Sequence, residues 1–153
     1  MDWPVQLAGL GASLAINAYR TLKFLELSIT IVGDNYDPLC GLSRELRFIA
    51  GINILEELQL EVMVPNNFSY LNGSEDCSVF DSVLTESGAF PMLHRVSVEI
   101  WWFSKNREPS EQDTLVKSLK EDNFPRLAES KAVEFNFFVE IDDRWPRITL
   151  MTV

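Results

Sequence analysis

LEELQLEV, at residues 55–62, carries apolar side chains at its first, fourth, sixth and eighth positions. The same spacing occurs upstream in LKFLELSI, residues 22–29, and downstream in LHRVSVEI, residues 93–100. Alternation of apolar and polar residues is typical of a β-strand that buries one of its two faces. The chain is therefore predicted to contain several short strands built to one pattern.

A fourth, weaker copy of this pattern begins at Leu127. It slips by about one residue, so that Val133, Phe135 and Phe137 carry its alternation. The leading leucines of the four copies stand at positions 22, 55, 93 and 127, at nearly equal intervals. A near-constant period in this range is the signature of a repeat protein, in which similar units stack on one another. We therefore predict a solenoid with one strand in each unit.

Helical patterns fill the intervals between the strands. In DPLCGLSRELRFIAG, residues 37–51, Asp and Pro stand at the start, apolar residues recur on one face, and Gly follows as a stop. Residues 76–88 and 110–123 follow similar rules, and residues 4–18 form a weaker first helix. Because a helix lies between each strand and the next, the crossovers make the strands parallel, with the helices on one side.

Phe-Pro-x-Leu occurs twice, at residues 90–93 and 124–127. The Phe is suited to close a helix, and the Pro prevents the helix from continuing. The Leu then opens the buried row of the following strand. We interpret the motif as a structural junction between helix and strand, repeated because the unit repeats.

These patterns define one domain over residues 1–153, with an N-terminal helical cap at 1–20 and an irregular tail at 142–153. The predicted strands cover residues 22–31, 55–64, 93–103 and 131–141, and the predicted helices cover residues 4–18, 38–50, 77–87 and 111–121. The loops at 65–75 and 104–109 are rich in turn-forming residues, and we expect them to be the mobile parts.

The charge of the chain restricts its partners. Thirteen Lys and Arg residues stand against 23 Asp and Glu residues, so the net charge is −10. Phosphate backbones and anionic membranes repel such a surface, which argues against both as partners. No apolar run reaches the roughly 18 residues of a membrane span, and the start lacks the features of a signal peptide. Cys40 and Cys77 lack metal-site spacing, so we expect reduced thiols in the cytoplasm or nucleus.

The residues that could carry chemistry have simpler structural explanations. His94 is the only histidine, and no Ser or Cys motif lies near it. GLGAS, residues 9–13, lacks the preceding strand that a nucleotide-binding loop requires. The pairs Glu56-Glu57 and Asp142-Asp143 consist of adjacent residues, which on a strand point to opposite faces. We therefore predict no catalytic residue, no metal site and no cofactor.

The outer face of the predicted sheet carries most of the functional information. Neighbouring parallel strands lie about 4.8 Å apart, so the polar residues between the apolar positions line up across the sheet. One predicted row contains Glu26, Gln59, Ser97 and Glu134; the next contains Ser28, Glu61, Glu99 and Asn136; Trp101 and Phe103 form an aromatic edge.

Such a face would suit a protein partner with a basic segment. The predicted binding residues are Glu26, Glu61, Glu99, Trp101 and Glu134. A structural alternative is that the stacked glutamates only keep an open sheet soluble.

The strand pattern Leu-x-x-Leu-x-Leu followed by a helix resembles irregular leucine-rich repeats. The segments LKFLELSI, ELRFIAGINILEELQLEV, DSVLTESGAFPMLHRVSVEIWW and LKEDNFPRLAESKAVEFNF resemble the C-terminal repeat region of F-box-type proteins from mushroom-forming fungi. The resemblance covers residues 21–138. It implies an α/β fold: a short, irregular leucine-rich-repeat-like solenoid of about four helix–strand units with a parallel sheet. It also implies a role in substrate recognition for a ubiquitin ligase.

Two departures limit what the resemblance implies. The usual Asn after the strand is absent, because Thr30, Met63 and Trp101 stand at or near that place. Nothing before Thr21 resembles the F-box helices, so the adaptor-binding half is expected to be missing. The main hypothesis is a non-catalytic protein-interaction module. The alternatives are a truncated structural remnant without a specific partner and an α/β enzyme, although the motifs of such enzymes are not found.

Overall fold

The computed structural model describes residues 7–30, 39, 41–65, 75–103 and 112–142. Its strands are β1 (Phe24–Thr30), β2 (Glu57–Pro65), β3 (Arg95–Phe103) and β4 (Glu134–Asp142). Its helices are α1 (Leu10–Asn17), α2 (Leu42–Arg47), α3 (Glu75–Thr85), α4 (Gln112–Asn123) and α5 (Pro125–Glu129). Of the loop predicted to be mobile at 65–75, Pro65 ends β2 and Glu75 begins α3. Residues 66–74, the second loop at 104–109, and residues 1–6 and 143–153 of the predicted cap and tail lie outside the described residues.

The four strands form one sheet in the order β1-β2-β3-β4. Each strand pairs with the next in parallel, including β3 with β4. A parallel neighbour can be reached only by a crossover, and the helices between the strands supply it. The predicted α/β class and the parallel sheet that alternates with helices are confirmed.

The core lies on one face of this sheet. The apolar strand residues point inward and join side chains from α2, α3, α4 and α5 in a single cluster. Burial is most complete on the two central strands, where eight side chains are at most 2% exposed: Leu58, Leu60, Val62, Val64, Val96, Val98, Ile100 and Trp102. The residues between them point to the opposite face, as the alternation predicts.

The pairing of β3 with β4 corrects the predicted register. Between the first three strands the pairing follows the repeat spacing, since Phe24 pairs with Glu57 and Glu57 pairs with Arg95. On β4, however, Ser97 pairs with Asn136 and not with Glu134, whose partner is Arg95. Because the shift is two residues, the same side chains still face the core.

The helix α5 is the reason for this shift. Leu127, predicted to lead the fourth strand, is buried within α5 instead. Pro125 is the first residue of that helix, a position where the missing N–H loses no hydrogen bond. The interpretation of Phe-Pro-x-Leu as a helix-to-strand junction is therefore right at residues 90–93 and wrong at residues 124–127.

Two glycines adjust the predicted helices. Gly41 has a φ of 76°, in the left-handed region that helical residues do not adopt, so α2 begins after it and not at residue 38. Gly11 allows α1 to lie against α2, because a Cβ at this position would overlap sterically with the backbone carbonyl oxygen of Glu45. The Glu45 carboxylate also accepts a 2.8 Å hydrogen bond from the Gly11 N–H. GLGAS is thus part of a helix-packing contact.

Asp81 on α3 determines where α5 begins. Its Oδ2 accepts a hydrogen bond from the Arg126 N–H at 3.0 Å, and its Oδ1 accepts one from the Leu127 N–H at 2.8 Å. Both N–H groups belong to the first turn of α5, where the helix itself supplies no acceptor. The residue at the N-cap position, Phe124, has no side-chain acceptor to offer. A carboxylate distant in sequence therefore caps this helix.

We expect Asp81 to make the stability of the protein depend on pH in a defined direction. Burial raises the pKa of Asp81, although the two N–H bonds and the Arg126 charge oppose the shift. The folded protein therefore holds this proton more tightly than the unfolded chain does. The resulting stability is complete below the ordinary aspartate pKa of about 3.9 and is lost as the pH rises through the raised value.

Urea unfolding of the wild type and of Asp81→Asn at several pH values tests this expectation. The Asn side chain does not titrate. Subtracting the unfolding free energy of Asp81→Asn from that of the wild type at each pH therefore removes the contributions of the other carboxylates. The wild type should lose stability relative to Asp81→Asn as the pH rises from about 4 through the raised pKa. Parallel curves across that range would show that Asp81 titrates as it does in the unfolded chain.

Candidate functional site

The outer face of the sheet consists of the strand residues that alternate with the core. Those whose side chains the structure describes form four rows across the strands, numbered from the amino ends of the strands to the carboxyl ends. Row one is Phe24, Glu57, Arg95 and Glu134; row two is Glu26, Gln59, Ser97 and Asn136; row three is Ser28, Glu61, Glu99 and Phe138; row four is Thr30, Met63, Trp101 and Glu140. These rows hold six carboxylates and one cation, so the face is strongly acidic.

The charges of row one are paired with one another. Arg95 Nη1 lies 3.3 Å from Glu57 Oε1, and Arg95 Nε lies 3.6 Å from Glu134 Oε2. His94 Nε2, just before β3, is 3.7 Å from the same Glu57 oxygen. Arg95 thus bridges both carboxylates of its row. Glu134, predicted as a binding residue, is already engaged by a cation of its own sheet.

The carboxylates of rows two to four have a different environment. Glu26, Glu61, Glu99 and Glu140 have no cation within 4.0 Å in the part of the chain that the structure describes. Glu61 and Glu99 stand directly opposite each other on β2 and β3. Like charges in this position repel and destabilise the pair of strands. The fold therefore carries a local electrostatic cost that nothing among its described residues offsets.

Aromatic and acidic side chains alternate at the carboxyl ends of β3 and β4. Glu99 stands opposite Phe138, and Trp101 stands opposite Glu140. The two types also alternate along each strand, because Glu99 precedes Trp101 and Phe138 precedes Glu140 by two residues. Phe138 is 56% exposed, and Trp101 is partly exposed. We name Glu99, Trp101, Phe138 and Glu140 the aromatic–acidic quartet.

The structure brings together three of the five predicted binding residues. Glu61, Glu99 and Trp101 are neighbours in rows three and four, whereas Glu26 lies on the edge strand β1 and Glu134 lies in row one. Trp101 lies on the outer face and is partly exposed, although its Nε1 is buried without a hydrogen-bond partner among the described residues, and it is Trp102 that enters the core, with 2% of its surface exposed. The predicted aromatic edge also included Phe103, whose side chain lies outside the described part.

Sequence reasoning counted Phe138 only among the outward residues of the fourth copy, and it assigned neither Phe138 nor Glu140 to this site. The predicted rows placed Asn136 beside Glu99, whereas the structure places Phe138 there. The predicted strand at 131–141 already contained both Phe138 and Glu140, and the alternation continues through Val139. The pairing register of this strand was not visible in the sequence, because a shift of two residues preserves the pattern.

The other sequence features have structural partners. The hydrogen bond from Lys23, whose Nζ lies 2.9 Å from Glu56 Oε1, lowers the pKa of Glu56, while the adjacent Glu57 pairs with Arg95. Among the described residues, no three His, Cys, Asp or Glu side chains converge as a metal site would require. Cys77 is buried, whereas Cys40 lies outside the described residues. No helix in the described ranges is long and apolar enough to cross a bilayer.

Comparison with protein-family models, curated proteins and solved structures finds no match for this chain. The resemblance to leucine-rich repeats and to F-box-type proteins therefore stays a prediction. We base the function on the chemistry of the outer face.

Proposed function

We propose that the protein is a non-catalytic interaction module that binds a basic segment of a partner protein on the outer face of its sheet. The separation of charge on this face carries the proposal. Both carboxylates of row one are paired with Arg95, whereas four carboxylates in rows two to four have no cation among the described residues. A basic segment across these rows would relieve the repulsion between Glu61 and Glu99. It would also be steered to the face by long-range attraction.

A charge reversal on the face tests this proposal. Glu61→Lys with Glu99→Lys should reduce recovery of a specific partner by at least roughly tenfold, because like charges across an interface oppose binding. The measurement is quantitative mass spectrometry of proteins captured by the tagged chain from cells of its source. Partner association should also slow as salt is added, since salt screens exposed charges.

The matched control places the same charge change elsewhere. Glu86→Lys with Glu129→Lys alters two exposed carboxylates that follow α3 and end α5, away from the outer face. This variant should retain the partner, and circular dichroism should show that both variants are folded. If both variants lose the partner equally, recovery depends on net charge alone. If both variants retain the partner equally, the outer face is not the binding surface. Either result contradicts the proposal.

At a finer level, we propose a short leucine-rich-repeat-like solenoid that serves an F-box-type ubiquitin ligase subunit as its substrate-recognition part, in the cytoplasm or nucleus. The sequential order of parallel strands supports the solenoid, as do the nearly equal intervals between the paired positions 24, 57, 95 and 134. The sequence resemblance supports the ligase role. A partner captured through the outer face should then gain ubiquitin conjugates when the full gene product is overexpressed. A captured partner that gains no ubiquitin conjugates would be consistent with the interaction module and would contradict the ligase role.

A further inference from the structure

We infer that the aromatic–acidic quartet is the anchor site for one arginine side chain of the basic segment; this inference rests on the proposed function. Neighbouring strands lie about 4.8 Å apart, and alternate residues along a strand lie about 6.6 Å apart. The four side chains therefore stand at the corners of a small rectangle, with each aromatic ring next to two carboxylates. A cation above its centre is within reach of two rings and two negative charges.

None of the four side chains is satisfied by a cation of the described part of the chain. Glu99 and Glu140 form no ion pair there. Cations do lie over other rings, as Arg20 does over Tyr19 at 5.1 Å and Lys120 over Phe135 at 5.6 Å, but none among the described residues lies over Trp101 or Phe138. Among its described residues, the chain thus pairs cations with rings elsewhere and places none over Trp101 or Phe138.

The chemistry of the quartet favours arginine over lysine. A guanidinium is planar, so it can stack on an aromatic face and still direct its N–H groups at carboxylates in its plane. It is also less strongly hydrated than an ammonium, which matters on an open sheet that cannot remove all the water from a bound ion. Rings and carboxylates in alternation supply both kinds of contact at one place.

The other side chains that the structure describes on this face lack this combination. Phe24, the other exposed aromatic among them, stands in row one at the amino end of β1 and is 46% exposed. Its neighbour across the sheet is Glu57, which already pairs with Arg95. Glu26 has no cation among the described residues, but its row contains no aromatic ring. Phe24 and Glu26 therefore serve as matched controls for the quartet.

Fluorescence anisotropy with three labelled peptides tests the anchor directly. The peptides carry three arginines, three lysines or three citrullines, separated by glycines and serines, and are compared at low salt. The arginine peptide should bind at least roughly tenfold more tightly than the neutral citrulline peptide, and several-fold more tightly than the lysine peptide.

Substitutions in the full chain locate the site. Trp101→Ala and Phe138→Ala should each weaken binding of the arginine peptide by roughly tenfold, whereas Phe24→Ala should change it by less than about twofold. Glu99→Gln should weaken it more than Glu26→Gln does. Trp101→Phe keeps an aromatic face and should retain most of the affinity, so it separates loss of the ring from loss of the fold.

Two outcomes would overturn the anchor. Equal binding of arginine and lysine peptides, with no effect of Trp101→Ala or Phe138→Ala, would show diffuse attraction to an acidic face and would leave the proposed function in place. Absence of binding by every cationic peptide would also reject the anchor. The proposed function would then be judged by the Glu61 and Glu99 charge reversal on the natural partner, which does not depend on these peptides.

Discussion

Replacing Phe124 with Ala should lower the free energy of unfolding by roughly 3–5 kcal/mol. Phe124 is 2% exposed, and its ring centroid lies 6.1 Å from that of Phe80, 5.4 Å from that of Phe135 and 5.6 Å from that of Phe137. It stands between α4 and α5 and joins α3 to β4 through these contacts. Truncation removes the apolar surface of the ring and leaves a cavity that three elements would have to close.

Phe138→Ala provides the control, because it removes the same atoms from the outer face. Phe138 is 56% exposed, so the loss should stay within about 0.5 kcal/mol. Urea unfolding followed by tryptophan fluorescence compares the two variants with the wild type. Similar losses for both would show that the ring cluster around Phe124 does not hold the last repeat to the core.

Asn53→Ala should cost roughly 2–3 kcal/mol of stability. Asn53 is 5% exposed and lies between α2 and β2. Its Nδ2 donates to the carbonyls of Ile49 at 2.7 Å and Ala89 at 2.9 Å, and its Oδ1 accepts from the Leu55 N–H at 3.2 Å. The bond to Ala89 joins one repeat to the next. Both carbonyls keep other donors, so the main cost falls on the Leu55 N–H, which loses its acceptor.

Asn123→Ala is a matched comparison with a smaller expected effect. Asn123 is also buried, at 2% exposure, but it makes one hydrogen bond, from Nδ2 to the Leu119 carbonyl at 3.0 Å. Its Oδ1 is buried without a partner, so removing it relieves a cost. We expect a loss of at most about 1 kcal/mol. Hydrogen exchange at Leu55 should accelerate in Asn53→Ala and not in Asn123→Ala; equal effects on stability and exchange would contradict the assigned role.

The outer face supplies a physical link between these stability predictions and function. The core positions β3 and β4, because Val98, Ile100 and Val139 bury the inner sides of the two strands that carry the quartet. The outward side chains contribute little to that core. Phe138→Ala should therefore change binding and leave stability nearly unchanged, whereas Phe124→Ala should change stability first.

The amino-acid sequence by itself determined the type and order of the four strands and of α1 to α4, but not the presence of α5. Apolar residues at alternating positions define the buried side of each strand, and that side is the same in any register shifted by two residues. Helical patterns between the strands require crossovers, which make the strands parallel. The alternation alone therefore assigns Glu61, Glu99 and Trp101 to the outer face.

Tertiary structure alone decided the extent of the last unit and the composition of the quartet. Asp81 caps α5 although it lies 45 residues before Arg126 in the sequence. No local sequence motif predicts this contact. The capped helix buries Leu127, which the repeat pattern placed at the head of the fourth copy, and β4 begins at Glu134 instead of the predicted residue 131. Phe138 then stands beside Glu99, where the repeat pattern had placed Asn136. Alternation specifies which face a residue occupies. The pairing of residues across strands depends instead on the number of residues that the helices between the strands contain.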